Sequence, residues 1–440
     1  MARSYRFRST LESIAEHGLT FLRGRGLSSA TPITRLATDL LSERGEASET
    51  ALARELIARY KRLRPAEKEQ FFHSLLDPPF RRDRDSIQAA FEGYSSQPDP
   101  AAVTGLFNVV EPPRQELFRR TNCAPGGTEG IVSMRADLLA LLPANPRLEC
   151  VDADLRHLLA SWFNRGFLRL ERINWRTPAI VLEKLIQHES VHEIRSWADL
   201  HRRLADDRRC FAFFHPALPD EPLIFVVAAL TRGMPMSIAP LLDVEAPRID
   251  VSSADTATFY SINNCVPGLR GISFGNFLIK QVIAELRSER LKVKRFVTLS
   301  PIPGFRSWLT SRPETTSHKS AEVRAAVKSQ FEDLSWVNDE SRAEELKAFL
   351  MSRCAEYLLQ RRANGHRLDA VAAFHLRNGA SAERINWLAD RSPKGISQSF
   401  GLMVNYMYRL TDIELNHETF VNGGKVAASS EVRALLKPRR

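Results

Sequence analysis

The chain has 440 residues, 43% of them hydrophobic and 26% charged, with a formal net charge of +10. That length holds two or three domains with a sizeable core, and the balance is that of an ordinary globular protein. No apolar run approaches the ~18 residues of a membrane span, and the basic residues are scattered rather than massed. The net charge suits an anionic partner, whether nucleic acid, a membrane surface or a phosphorylated cofactor, and the scatter of the basic residues argues against the first. The five cysteines (Cys123, Cys150, Cys210, Cys265, Cys354) are few, far apart and odd in number, with no C-x-x-C pair. They fit a reducing compartment better than a disulfide framework or a cysteine zinc site.

In chain order, the first 26 residues are rich in Arg and Ser, as transit peptides are, but Glu12 and Glu16 interrupt them. Residues 1–150 then read as helices. Leu36, Leu40 and Leu41 share one face, and Ser48 is expected to cap a helix bearing Leu52, Leu56, Ile57 and Tyr60. Pro65 fits a helix start and Pro78-Pro79 a stop. Further helical patterns cover 86–91, 101–109, 115–120 and 134–142. This part carries no catalytic constellation and reads as a helical domain for association or support. The prolines of 141–146 mark the expected boundary.

Residues 151–440 change texture. A helix over 154–164 leads to a strand over 167–173, another helix over 178–187, and a hairpin of two β-rich runs, 210–215 and 222–230. A long helix is predicted over 338–364, capped by Ser341 with Glu344 and ended by Gly365. The expected fold class is an all-α domain over 1–150 followed by a mixed α/β domain over 151–440.

The stretch 257–305 organises that second domain. Phe259 to Ile262 suits a strand. A loop with Gly268, Gly271 and Gly275 follows, then a helix through Phe277, Leu278, Val282, Ile283 and Leu286. Phe296, Val297 and Leu299 make another strand, which stops at Ser300 before the turn Pro301-Ile302-Pro303-Gly304. Glycines let a backbone approach a ligand, and helix N-terminal amides favour an anion. The loop therefore either shapes a turn or presents the amides of Arg270, Gly271, Ile272, Ser273, Phe274, Gly275 and Asn276 to a pyrophosphate. Its G-x-x-G-x-x-x-G spacing is neither a Walker loop nor a G-x-G-x-x-G fingerprint.

Three further residues have two readings each. Ser300 is a turn former or a reactive hydroxyl. His375, expected near a helix C-terminus, is a packed imidazole or a proton carrier. Tyr408 is core or site. His188-Glu-Ser-Val-His192 matches the H-E-x-x-H zinc motif, but no third ligand accompanies it, and no metal is expected.

GLRGISFGNFLIK with FVTLSPIPGF, FHLRNGASAERINWLAD and GLMVNYMYRL resemble, in order, the catalytic half of the malonyl-CoA decarboxylase family. A weaker match lies in 173–204, and together the matches cover most of 152–410. The resemblance implies a catalytic domain like that of GNAT-type acyltransferases and conversion of malonyl-CoA to acetyl-CoA and CO₂. It also implies a self-associating helical domain, giving a dimer or tetramer, and no required cofactor beyond the coenzyme A of the substrate. Ser300 matches the family's catalytic serine, His375 its catalytic histidine and Tyr408 a tyrosine of its active site. With a reference pKa of about 6.5, His375 is expected to protonate the enolate left by CO₂. Ser300 is expected to hold the malonyl carboxylate or relay the proton, with Tyr408 on the acyl group. A bacterial cytosol is the expected location, or a mitochondrion for a eukaryotic source. The alternatives are a CoA-dependent acyltransferase on the same fold, a non-catalytic acyl-CoA-binding protein, and a basic nucleic-acid binder.

Overall fold

The computed structural model describes residues 13, 15–24, 27–272, 278–289, 292–311, 334–359 and 369–436. The chain divides into two compact units. One comprises 1–168 with the short insertions 214–221 and 266–274. The other comprises 169–213, 222–265 and 275–440.

The first unit is helical: α1 (Ile33–Leu41), α2 (Glu46–Arg62), α3 (Pro65–Ser74), α4 (Arg84–Ser96), α5 (Pro100–Val110), α6 (Pro113–Cys123), α7 (Gly127–Leu141) and α8 (Glu149–Trp162). Proline at the first position starts α3, α5 and α6, where no amide partner is lost. Asp83 and Asp99 cap α4 and α5 by accepting from Ser86 N–H (3.0 Å) and Ala102 N–H (2.7 Å). Ser48 does not cap α2. That helix starts two residues earlier, at Glu46 behind Gly45, and its first turn holds Glu46 and Glu49, which suit the helix dipole. Leu36, Leu40, Leu52, Leu56, Tyr60, Phe71, Phe72 and Phe118 are buried together as the core of this unit. Burying each such side chain stabilises the fold by about 1.5–3 kcal/mol.

The second unit is built on an eight-stranded sheet. Its strands are β1 (Arg169–Ile173), β2 (Arg208–Phe214), β3 (Ile224–Thr231), β4 (Thr256–Asn264), β5 (Arg295–Thr298), β6 (Ser300–Pro301), β7 (Ser381–Asn386) and β8 (Met403–Met407). Their order is β1-β2-β3-β4-β5-β8-β6, with β7 also on β8. Among the described residues the helices of this unit are α9 (Ala179–His188), α10 (Trp197–Arg203), α11 (Ala239–Leu242), α12 (Leu278–Ser288), α13 (Phe305–Thr310), α14 (Glu340–Leu359), α15 (Ala370–Arg377), α16 (Pro393–Ser399), α17 (Ile413–Gly423) and α18 (Ser430–Ala434). β2 and β3 form the expected antiparallel pair. β4 and β5 are parallel, which requires a crossover, and α12 lies within it. Ser341 lies inside α14, and the carboxylate of Asp339 accepts from Arg342 N–H (3.1 Å) in its place. Gly365 lies outside the described residues.

Two irregularities mark the sheet near Ser300. In the first, β4 and β5 pair only from Thr256↔Arg295 to Phe259↔Thr298, while β4 runs on to Asn264. On the other side of β4 the register with β3 shifts, Val227 facing Ser261 and Ala228 facing Phe259, so Tyr260 is an extra residue in β4. The second irregularity is at Ser300 itself, which does not end β5. The strand breaks at Leu299, and Ser300 opens β6. Val297 pairs with Met407 and Ser300 with Val404, so β5 and β6 keep one register along β8. Leu299 N–H donates to the carbonyl of Phe259 on β4 (2.9 Å), as the parallel pairing requires. On the β8 side the Tyr406 N–H goes to Thr298 Oγ1 (3.1 Å) and the Thr298 carbonyl accepts from Asn405 Nδ2 (2.8 Å), so side chains replace ladder bonds there.

Candidate active site

Side chains alternate faces along a strand, so residues two apart share one. Thr298 and Ser300 are two apart, as are Tyr406 and Tyr408, and β8 lies beside both β5 and β6. His375 comes from α15, whose helical run ends at Arg377 as the sequence suggests. Its ring stacks on Tyr406, with centroids 4.8 Å apart and planes 25° apart, and meets Tyr408 edge-on. The three residues singled out from sequence therefore converge from three separate segments.

The hydrogen bonds form a chain. The Tyr408 hydroxyl is 2.7 Å from His375 Nδ1. His375 Nε2 is 3.0 Å from Ser300 Oγ. Ser300 Oγ donates to Thr298 Oγ1 (2.9 Å), which also accepts from Tyr406 N–H (3.1 Å). With the serine proton directed to Thr298, Ser300 Oγ accepts, so Nε2 carries the imidazole proton. Nδ1 is then the acceptor and takes the Tyr408 hydroxyl proton. Every polar hydrogen from Tyr408 through Ser300 thus has an acceptor, and the tautomer is fixed with N–H facing the serine.

Burial sets the electrostatics. His375 is 3% exposed, and desolvation lowers its pKa to about 3. The expectation of an imidazole near its ordinary pKa therefore does not hold in this structure, where the neutral ring is strongly favoured. Burial pushes the hydroxyls of Tyr406 and Tyr408 well above their usual range, so both stay neutral.

Thr298, Tyr406 and Asn405 were not picked out from sequence. Asn405 is fully buried and donates to the carbonyls of Thr298 (2.8 Å) and Pro235 (3.3 Å). Its own carbonyl accepts from Asn386 Nδ2 (2.8 Å) and Arg384 Nε (3.2 Å). A threonine two residues before Ser300 was a usable signal, since period two puts it beside the serine. Nothing local marks Asn405.

The glycine loop is described as far as Ile272. Ser273, Phe274, Gly275 and Asn276 lie outside the described residues. Gly271 has φ +79°, which favours glycine. The amides of Arg270 and Ile272 already donate to the carbonyls of Pro267 and Leu269, both at 3.0 Å. Those two amides are thereby already engaged within the loop. The carbonyls of Gly268 and Arg270 accept from buried Arg135 Nη1 (2.7 and 2.9 Å), whose Nε pairs with Asp152 (2.8 Å).

The H-E-x-x-H match does not have the helical geometry a zinc site of that kind needs. α9 ends at His188, so His188 and His192 share no helix face. Glu189 accepts from Val191 N–H and His192 N–H (both 2.9 Å), Asn263 Nδ2 (3.0 Å) and Ser261 Oγ (2.5 Å). It ties a loop to β4. Among the described residues no group of three or more His, Cys, Asp or Glu side chains could hold a metal.

Residues 80–163 match the malonyl-CoA decarboxylase N-terminal domain family and 166–440 the malonyl-CoA decarboxylase C-terminal domain family. The chain is 37% identical to the mitochondrial malonyl-CoA decarboxylase of Anser anser anser over 352 residues, 74% of this chain and 70% of that one. The crystal structure of malonyl-CoA decarboxylase from Rhodopseudomonas palustris superimposes with TM-score 0.85 at 49% identity, covering 91% of this chain and 98% of that one. The one from Agrobacterium vitis does so with TM-score 0.85 at 48% identity, covering 92% and 100%. The family model over 166–440 spans the segments that bring Ser300, His375 and Tyr408 together, and the chain belongs to the malonyl-CoA decarboxylase family of carboxy-lyases.

Proposed function

We propose that the protein decarboxylates malonyl-CoA to acetyl-CoA and CO₂, using a proton carried by His375 and passed through Ser300. The supporting observation is the chain Tyr408–His375–Ser300–Thr298, which aims an N–H at a serine hydroxyl inside a buried site. The bond from C2 to the carboxylate carbon breaks, and its electron pair becomes an enolate with charge on the thioester oxygen. A donor aimed at that oxygen is worth about 3 kcal/mol. C2 then takes the Ser300 proton, Ser300 takes the Nε2 proton, and solvent restores His375. The balance is malonyl-CoA plus one proton giving acetyl-CoA and CO₂. The thioester is the electron sink, so coenzyme A enters only as part of the substrate.

The low pKa of His375 gives the malonyl carboxylate a second task. A neutral imidazole is a poor acid, but an anion beside it raises its pKa. The carboxylate, and then the enolate, supply that anion, so His375 gains its acidic proton only with substrate in place. Gly271 and residues 273–276 are assigned to the CoA phosphates. Residues 1–150 are assigned to self-association, as a dimer or tetramer. Supporting this, α4 and α5 bury none of their residues, and Phe91, Phe107 and Val110 are 57%, 72% and 52% exposed. Phe107→Asp should shift the mass measured by light scattering towards smaller species and leave kcat within about twofold.

Malonyl-CoA incubated alone with pure protein in D₂O is the direct test, read by mass spectrometry. Acetyl-CoA with one deuterium at C2 is expected. Substrate returned intact until an amine is added would favour the acyltransferase reading, and binding without turnover the non-catalytic one.

A further inference from the structure

Ser300 and His375 come from segments far apart in the chain, yet their reacting atoms sit 3.0 Å apart. One buried carboxylate touches both segments. Asp369 is the N-cap of α15, the helix that carries His375, and its Oδ1 accepts from Val371 N–H (2.9 Å) and Ala372 N–H (3.2 Å). Its Oδ2 accepts from Gly304 N–H (3.0 Å), in the turn that follows Ser300, and from the Tyr357 hydroxyl (3.4 Å). Gly304 is held to this geometry: a Cβ there would lie 2.4 Å from Tyr357 Oη and 3.3 Å from Asp369 Oδ2. Capping alone needs one oxygen. The second oxygen joins the helix to the serine's turn.

We propose that Asp369 is a positioning residue for the Ser300–His375 pair, one carboxylate fastening the helix of the histidine to the turn of the serine. It does not touch the reacting atoms. It fixes the distance across which the proton passes, and a misplacement of about 1 Å in such a site costs on the order of 100-fold in rate. The inference rests on the reading of Ser300 and His375 as the catalytic pair.

Asp369→Ser separates the two tasks, because serine caps a helix as well as aspartate does but is too short to reach Gly304 as well. It should melt close to wild type, with kcat for malonyl-CoA lowered about 10- to 100-fold and KM within about twofold. Asp369→Asn keeps the size and one accepting oxygen and turns an N–H₂ towards one set of donors. It should show the same split, and it decides the matter if the serine variant does not fold. Tyr357→Phe, which removes the longest of the contacts to Asp369, should stay within about twofold in kcat. Wild-type kcat in folded Asp369→Ser and Asp369→Asn overturns the inference, as does a loss confined to KM. Ser300→Ala and His375→Ala are measured alongside. If these two keep turnover, the catalytic pair itself is wrong; if they lose it while the Asp369 variants do not, only the role of Asp369 falls.

Discussion

Among its described residues the second unit holds two buried histidines whose imidazoles burial pushes down, His375 to about 3 and His192 to about 4. Desolvation comes first among the causes for both, and both are less than a tenth exposed. Their neighbours differ. His375 has a hydroxyl on each ring nitrogen and lies in a continuous hydrogen-bonded chain. His192 Nε2 has no hydrogen-bond partner among the described residues, and the nearby carboxylate of Glu189 is occupied by two amides and two side chains. A shifted pKa and a catalytic-looking motif therefore do not mark the site. What sets His375 apart from His192 is a hydrogen-bond partner on each ring nitrogen.

The largest expected effect breaks that comparison directly. His375→Ala should lower kcat by about 10³-fold, within the span general acid–base groups supply, while the melting temperature stays within a few degrees. His192→Ala should leave kcat per folded molecule within about twofold. CO₂ release and thermal melts on both variants check it, and equal losses of turnover would erase the distinction.

Removing either hydroxyl partner of His375 comes next. Ser300→Ala should cost about 10²-fold in kcat, by cutting the relay. Tyr408→Phe leaves Nδ1 without its donor and frees the other tautomer, for an expected loss of about 10- to 100-fold with little change in KM. A loss seen only in KM would move Tyr408 from the imidazole to the acyl group. Smaller still, Thr298→Val keeps the shape and removes the acceptor of the serine proton, for about a tenfold loss that Thr298→Ser should restore.

The two histidines are expected to act alike in only one measurement. Each is neutral in the fold and charges near pH 6.5 when unfolded, so the unfolded state binds more protons as pH falls. Their contribution to stability is complete above about pH 6.5 and is lost as pH falls through the folded values, about 4 for His192 and about 3 for His375. Denaturant unfolding between pH 7 and pH 4 should show falling stability, and either alanine variant should flatten the slope. An unchanged slope in His375→Ala would mean that the imidazole is not held neutral.

Much of this was legible in the amino acids, because it is local. Helix periodicity, proline starts and the β2–β3 pair depend on neighbours in the chain, and so does the matched motif around Ser300. The errors are competitions decided by a better-placed partner: Asp339 over Ser341 at a helix start, and the Thr298 hydroxyl and Asn405 amide taking the places of ladder bonds just before Ser300.

The sequence alone determined the two textures of the chain, the family resemblance, and Ser300, His375 and Tyr408 as residues to watch. Only the tertiary structure decided that they meet, which tautomer His375 holds and how far its pKa falls, and that Thr298 and Asp369 stand behind them. The reason is physical. Desolvation and hydrogen-bond direction are set by groups far away in the chain, packed close in the fold, and no local pattern of residues encodes them.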